Sequence, residues 1–303
     1  MIDKIILLSG PTATGKSSLA LKIAESIDAE IINADSIQLY KDLSILTARP
    51  NTKKEKVKHH CYGFLDGDIS WSVGKWINEI NKIIKEVIKR KKIPLLVCGT
   101  GFYFKAITDG LSPIPDINKS IRLEIEGELE KNGLKKLYDR LTEIDPIASE
   151  KINPNDKQRV MRALEVYLGT NKRISDYWLM NREKIINHDS INFKIDANRE
   201  WIYKNCDSRV DNMFENGVIE EVECLLNKNY SIDSPIMKAI GVNEIKSFLN
   251  NDITIDRASE LIKFKTHHYA KRQITWMNHQ MISWNLSLIH ISEPTRLLSI
   301  GYG

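Results

Sequence analysis

An apolar strand, a glycine-rich loop and an amphipathic helix follow one another at the start of the chain: Ile5-Ile6-Leu7-Leu8, then Gly10-Pro11-Thr12-Ala13-Thr14-Gly15-Lys16-Ser17, then Ser18 to Ile27. The loop satisfies G-x-x-x-x-G-K-[ST], in the strand-to-helix setting that gives this pattern its meaning. Backbone N–H groups of such a loop turn inward and cradle phosphate oxygens, helped by the positive end of the following helix. Lys16 adds a mobile charge, and the Ser17 hydroxyl is placed to complete a Mg²⁺ shell that keeps most of its waters. Residues 10–17 are therefore expected to bind a diphosphate or triphosphate. What is done with the phosphate is a separate question.

The pattern continues as strand-helix alternation. β-rich runs at Ile5–Leu8, Glu30–Asn33 and Ile93–Cys98 are separated by helical runs at Ser17–Ile27 and Val73–Lys89, the latter with Trp76, Ile80, Ile83, Ile84, Val87 and Ile88 on one stripe. An α/β fold follows, a P-loop NTPase-like parallel sheet covered by helices, with ligands expected in the crevice at the strand C-terminal ends. Three segments fall at such ends: the loop itself, Asp35-Ser36, and Gly99-Thr100-Gly101. Pro113 and Pro115 then end the alternation, dividing a first core part, residues 1–114, from a helical insertion, residues 115–196. The insertion reads as helices Ser120–Asn132, Leu134–Ile144 and Asp156–Leu168, then a strand-like Asn192–Asp196. Residues 197–286 complete the core with C-terminal helices at Arg199–Glu215, Ile219–Lys228, Met237–Leu249 and Asp256–Gln273. Ser287–Gly303 lacks caps and periodicity and reads as a non-native tail.

At 303 residues and 42% hydrophobic, the chain is long and apolar enough for two packed units and is not a disordered protein. A net charge of +4 does not by itself indicate nucleic acid, although basic runs at Lys53–Lys58 and Lys89–Lys92 offer local positive surface. The four cysteines include no C-x-x-C pair, so neither a zinc ribbon nor a disulfide framework is indicated. His59-His60-Cys61 is a poor metal site, because adjacent side chains rarely converge on one ion. With no signal peptide and no run of membrane-spanning length, the expectation is a reduced, cytoplasmic enzyme.

From the residues alone, the activity stays open. A hydrolytic ATPase normally has a second apolar strand ending in an acid, whereas Pro94–Cys98 runs into Gly-Thr-Gly, which argues against that class. A kinase is compatible with Asp35 as a base toward a small hydroxyl acceptor, and a non-catalytic RNA-binding protein is compatible with the basic segments.

The order of motifs narrows the choice. Gly10–Ser17, Asn33-Ala-Asp-Ser-Ile-Gln-Leu-Tyr40, Cys98-Gly-Thr-Gly101, Asn155-Asp-Lys-Gln-Arg159, Arg209-Val-Asp and Ala270-Lys-Arg-Gln-Ile-Thr-Trp276 occur in succession. From residue 4 to about 284 the chain resembles the tRNA isopentenyltransferase family, the tRNA dimethylallyltransferases. No zinc finger of the eukaryotic kind follows, so the bacterial type is expected. The resemblance implies transfer of the dimethylallyl group from dimethylallyl diphosphate to the exocyclic N6 amine of the adenosine 3′ of the anticodon, in tRNAs reading codons that begin with U. By the same resemblance Gly10 to Ser17 hold the diphosphate, Asp35 is the general base, and Thr100 and Lys16 act at the reacting centre. Ser17 would serve Mg²⁺, and Arg209 would touch substrate. The tRNA anticodon stem-loop would meet Asp35, Ser36, Ile37, Gln38, Arg122, Gln158, Arg159, Val160, Met161, Arg162, Lys238, Lys271, Arg272 and Gln273, in a protein acting as a monomer. Two positions depart from the family pattern: Val242 stands where a tyrosine is usual, and Asn278 where an arginine is usual.

Overall fold

In a computed structural model describing residues 4–52 and 55–288, the chain divides into two compact units. One comprises the residues up to Thr108 and from Ile185 onward, the other Asp109–Lys184. The first unit contains β1 (Lys4–Ser9), α1 (Lys16–Ile27), β2 (Ala29–Asn33), β3 (His59–His60), α2 (Val73–Lys89), β4 (Ile93–Cys98) and α3 (Gly101–Thr108). The second contains α4 (Lys119–Ile144), α5 (Pro146–Lys151), α6 (Lys157–Thr170) and α7 (Ile174–Leu179). The first unit resumes with β5 (Asp189–Asp196), α8 (Arg199–Glu215), α9 (Val218–Leu226), a 3₁₀ turn at Pro235–Lys238, α10 (Val242–Leu249), α11 (Ile255–Gln280) and β6 (Asn285–Leu288).

The strands form one parallel sheet in the order β3-β2-β4-β1-β5-β6. β1, β2 and β4 are apolar runs buried on both faces, as a helix-covered parallel sheet requires. Register does the rest. Ser9 lies opposite Cys98, and Asn33 opposite Val97, so the three central strands end at one level. The loops that follow them, at Gly10, Ala34 and Gly99, therefore open at the same edge. Helix α1 approaches the sheet through the small residues Ala20 and Ala24. Trp76 of α2 is fully buried, with its indole N–H directed at the Asn33 carbonyl and its ring edge-on to Tyr103.

Several boundaries differ from the sequence expectation. Asp189–Asp196 pairs with β1 and belongs to the sheet, so the insertion stops short of residue 196. The stretch Met237–Leu249 is not one helix. It breaks at Gly241, whose φ of 109° is left-handed and against which Leu46 packs, leaving no room for a Cβ. Helix α11 continues past Gln273 to Gln280, because the buried stripe Ala270, Gln273, Met277 continues at helical spacing. Ser287 and Leu288 belong to β6, beside β5, so the expected tail begins too early. Residues 289–303, like Lys53 and Lys54 of the basic run, lie outside the described residues.

The helical unit packs Ile125, Leu137 and Leu141 of α4 against Val160, Met161 and Leu164 of α6. Helix α4 bends at Gly133, the position where the sequence separates two helical runs. The carboxylate of buried Asp145 accepts from Ala148 N–H and Ser175 N–H, 3.0 Å each, and so caps α5 and steadies the start of α7.

A buried ion cluster fixes the outer side of the sheet. Glu30 of β2 accepts from Arg90 Nε at 2.9 Å and Nη2 at 2.7 Å, and from His60 Nε2 at 2.6 Å. Burial alone would raise the Glu30 carboxyl, but the hydrogen bonds from Arg90 and then His60 outweigh it and hold the group at about 2, below its ordinary 4.5. Burial keeps His60 below the usual imidazole range, so at neutral pH it donates as an uncharged ring. Glu30→Gln is expected to lower the unfolding free energy by about 3 kcal/mol near neutral pH. Because the folded value is depressed, this contribution is complete above about pH 4.5 and is lost as pH falls through about 2. Urea unfolding of both proteins across that range would show the difference closing in acid.

Candidate active site

The loop between β1 and α1 folds on itself before any ligand arrives. Thr14 Oγ1 donates to Pro11 O at 2.8 Å, and Lys16 Nζ also donates to Pro11 O. Gly15, at φ 74°, caps α1 in a left-handed conformation open to glycine at no steric cost. Gly10, Pro11 and Thr14 are buried in the loop's framework, while Thr12, Ala13, Gly15, Lys16 and Ser17 line a cavity of about 570 Å³. Asp35, Ser36, Ile37 and Gln38 form another part of its wall, as do Arg209 of α8, Lys238, and Tyr269 and Gln273 of α11. The three strand-end segments thus meet as their register requires.

Asp35 is held by its own turn. Its N–H donates to Asn33 Oδ1, and its Oδ1 accepts from Ile37 N–H at 3.0 Å. Oδ2 has no partner among the described residues. Thr100 stands beside Tyr269, with its Oγ1 3.3 Å from the phenol oxygen. Burial pushes that phenol far above its usual range, so it stays protonated. Arg209 Nη1 donates to Thr12 Oγ1 at 2.7 Å, and its buried Nε has no partner among the described residues. Burial draws both cations down: Arg209 below the usual guanidinium value, and Lys16 to about 8. Arg209 adds to the effect on Lys16, while Asp35 opposes it. Two desolvated cations and one carboxylate around an open cavity describe a site built for an anion.

Helix α11 explains why the Gly-Thr-Gly and Lys-Arg-Gln-x-Thr-Trp motifs go together. A Cβ on Gly99 would lie 2.6 Å from Gln273 Nε2, and one on Gly101 would lie 1.7 Å from the Trp276 ring. Only glycine permits that approach. Gln273 then uses both ends of its amide, accepting from Thr12 N–H at 2.8 Å and donating to Gly99 O at 2.7 Å.

A family model described as IPP transferase matches residues 38–280. The tRNA dimethylallyltransferase of Pelagibacter ubique is 44% identical over 283 residues, which cover 93% of this chain and 90% of that protein. That of Geobacter sulfurreducens is 39% identical over 274 residues, with 90% and 88% covered. The chain belongs to the tRNA dimethylallyltransferase family. Among solved structures, a tRNA isopentenylpyrophosphate transferase from Staphylococcus epidermidis matches with TM-score 0.68 at 30% identity, over 98% of this chain and 97% of that one. A eukaryotic dimethylallyltransferase acting on tRNA matches with TM-score 0.80 at 27% identity, over 98% of this chain and 75% of that one.

Within this dimethylallyltransferase chain, the residues expected to meet tRNA fall into distinct groups. Asp35 to Gln38 and Lys238 line the cavity, and Lys271 and Arg272 are exposed on α11. Gln273 lines the cavity too, but it is buried and its amide is bonded to Thr12 N–H and Gly99 O. Val160 and Met161 are a correction, since both are fully buried in the helical unit's core and their side chains present nothing to a ligand. Arg122, Gln158, Arg159 and Arg162 belong to that helical unit. Buried Glu165 bridges Arg122, at 2.7 Å, and Arg162, at 3.2 Å, and Arg122 also donates to Gln158. Arg159 is largely exposed, paired with Asp156 one turn away. Of the two departures, Val242 is fully buried at the start of α10 and Asn278 is exposed on α11. Sequence reasoning missed Tyr269, which stands within the Ala-Lys-Arg-Gln motif's own helix one residue before Ala270.

Lys16 carries a testable consequence. A base depressed to about 8 loses its proton as pH rises through that value, and an anionic ligand binds the charged form. Affinity for inorganic diphosphate should weaken by about tenfold per pH unit above about 8. Lys16→Ala should bind weakly at every pH and lose this slope, as calorimetric titrations from pH 7 to 9.5 would show.

Proposed function

We propose that this protein transfers the dimethylallyl group from dimethylallyl diphosphate to the N6 amine of the adenosine 3′ of the anticodon in tRNAs reading codons that begin with U. The observation that carries the reading is the meeting in one cavity of the phosphate loop with Asp35, whose Oδ2 is uncommitted. The donor's diphosphate lies against the loop amides with Lys16 and Arg209. The unpartnered Arg209 Nε supplies a donor already stripped of water.

As the allylic C–O bond breaks, its electron pair leaves with the diphosphate, where these cations meet the growing charge. The adenine amine forms the new C–N bond, and its proton passes to Asp35 Oδ2. Thr100 and Tyr269 form a hydroxyl pair at the reacting centre that fixes the amine's approach. The Ser17 hydroxyl, exposed in the first turn of α1 and lining the cavity, has the oxygen chemistry that Mg²⁺ takes from a protein while keeping its own waters. Bound there with the diphosphate, Mg²⁺ would supply charge neutralisation to the leaving group. The acceptor base must leave its stack to enter the cavity, which costs least in a single-stranded loop. Gln38 and Lys238 face it at the cavity wall. In the first unit Lys271 and Arg272 are the candidates for phosphate contacts with the RNA, and in the helical unit Arg159 and Arg162 are. That one chain carries the elements assigned to both substrates supports a monomer, and a tRNA substrate supports a cytoplasmic site of action. No described helix is long and apolar enough to cross a membrane.

Incubation with unmodified tRNA and labelled dimethylallyl diphosphate should label the tRNA. Absence of label, together with γ-phosphate transfer from ATP to a small hydroxyl compound, would instead support the kinase reading. Asp35→Asn should lower turnover by about 10²–10⁴-fold with tRNA affinity close to wild type. Asparagine keeps an oxygen for Ile37 N–H, so the turn survives and the base is lost. An Asn variant with wild-type turnover would remove Asp35 from the mechanism.

A further inference from the structure

We infer that Glu221, on α9, is a positioning residue for acceptor recognition, acting through the segment 44–48 on Gln38; the inference rests on the tRNA-transfer reading. Glu221 has no part in the motifs that mark the phosphate site, yet its carboxylate is saturated by one short stretch of chain. Oε1 accepts from Ser44 N–H at 2.6 Å, Ser44 Oγ at 2.8 Å and Ile45 N–H at 2.8 Å, and Oε2 accepts from Leu46 N–H at 2.9 Å. Successive backbone N–H groups turned to one side form an anion-binding nest. Here the anion is a side chain from 175 or more residues along the chain, and hydrogen bonds to a charged acceptor are the strong kind.

The far side of the same segment belongs to the cavity, whose wall includes Leu46, Thr47 and Ala48. Thr47 O and Ala48 O accept from Gln38 Nε2 at 2.9 and 3.4 Å. With its amide nitrogen bound to carbonyls, Gln38 keeps only Oε1, an acceptor, for a ligand in the cavity. An acceptor there favours a base edge that presents an N–H, such as an exocyclic amine, and rejects one that presents a carbonyl. Arg49 closes the other end of the segment by donating to Tyr40 O at 2.6 Å and Lys41 O at 3.2 Å, and Leu46 packs onto Gly241. Glu221 is thus the charge that holds the segment in the one conformation that turns Gln38 to a defined face.

Steady-state kinetics with separate variation of the two substrates, plus direct binding of an unmodified anticodon stem-loop RNA, tests this. Glu221→Ala should raise KM for tRNA and the RNA Kd by about tenfold or more, with KM for dimethylallyl diphosphate nearly unchanged. Glu221→Gln, which keeps an acceptor for part of the nest, should lie between it and wild type and serves if the alanine variant folds poorly. In a Gln38→Ala background, Glu221→Ala should add little, because the two act as one unit. Parallel losses for both substrates that follow the melting temperature, or effects that multiply in the double variant, would overturn the inference while leaving tRNA transfer intact. A wild-type protein that labels no tRNA would overturn the function itself.

Discussion

One carboxamide joins the halves of the site. Gln273 spans from the phosphate loop, at Thr12 N–H, to the end of β4, at Gly99 O, and its helix lies against two glycines that leave it no spare distance. Each bond is worth only about 1 kcal/mol. The consequence lies in geometry rather than energy, because the same helix carries Tyr269 to Thr100 and packs against α8, which carries Arg209 to Thr12. His267 of α11 stacks on Tyr203 of α8 and reaches Asp207, which ties the two helices together above the loop. The N-terminal loop and two C-terminal helices are thus one structure, although some 200 residues separate them in sequence.

The electrostatics follow from this enclosure. Lys16 and Arg209 are cations drawn out of water, and Asp35 is the carboxylate within reach of their field. Desolvation of charge is costly and is repaid only when an opposite charge enters. A site arranged in this way loses stability when empty and recovers it on binding a dianion, which is where a phosphate loop should spend its strain. On the proposed reaction, the loop amides, Lys16 and Arg209 that bind the donor also favour the departure of its diphosphate.

The sheet and the phosphate loop were legible because both are local. Buried parallel strands show as apolar runs, and the loop's glycines and lysine are contiguous. Helices α2 and α8 have the ends expected of them, since their apolar stripes begin after Ser72 and Asn198, which act as N-caps. What escaped was long-range. Nothing near Gln273 tells that its amide is spent on a loop 261 residues away, and nothing near Glu221 announces a nest at residues 44–46. Val160 and Met161 share a segment with exposed Gln158, Arg159 and Arg162, but a helix rotates successive residues by about 100°, which brings the apolar pair to the core face and the other three to solvent. Glu30 is the inverse case, a charged residue in a strand whose burial made sense only once Arg90 and His60 were seen to meet it.

The missing acid after β4 carries the last step. In hydrolytic relatives of the loop, an acid at that strand end organises metal and water. Here the strand ends in Cys98, whose buried thiol lies against Ala34 O and the Thr100 backbone and is pushed far above its ordinary range, leaving it uncharged and poorly nucleophilic. Gly99 and Gly101, on either side of Thr100, are covered by Gln273 and Trp276, so neither position can carry such an acid. On the proposed reaction this is an advantage, because an allylic group with developing positive charge is captured by any water within reach. On that reading, the packing that forbids a side chain at Gly99 and Gly101 leaves no acid at this strand end to activate water, and Asp35 is the carboxylate placed to serve the amine.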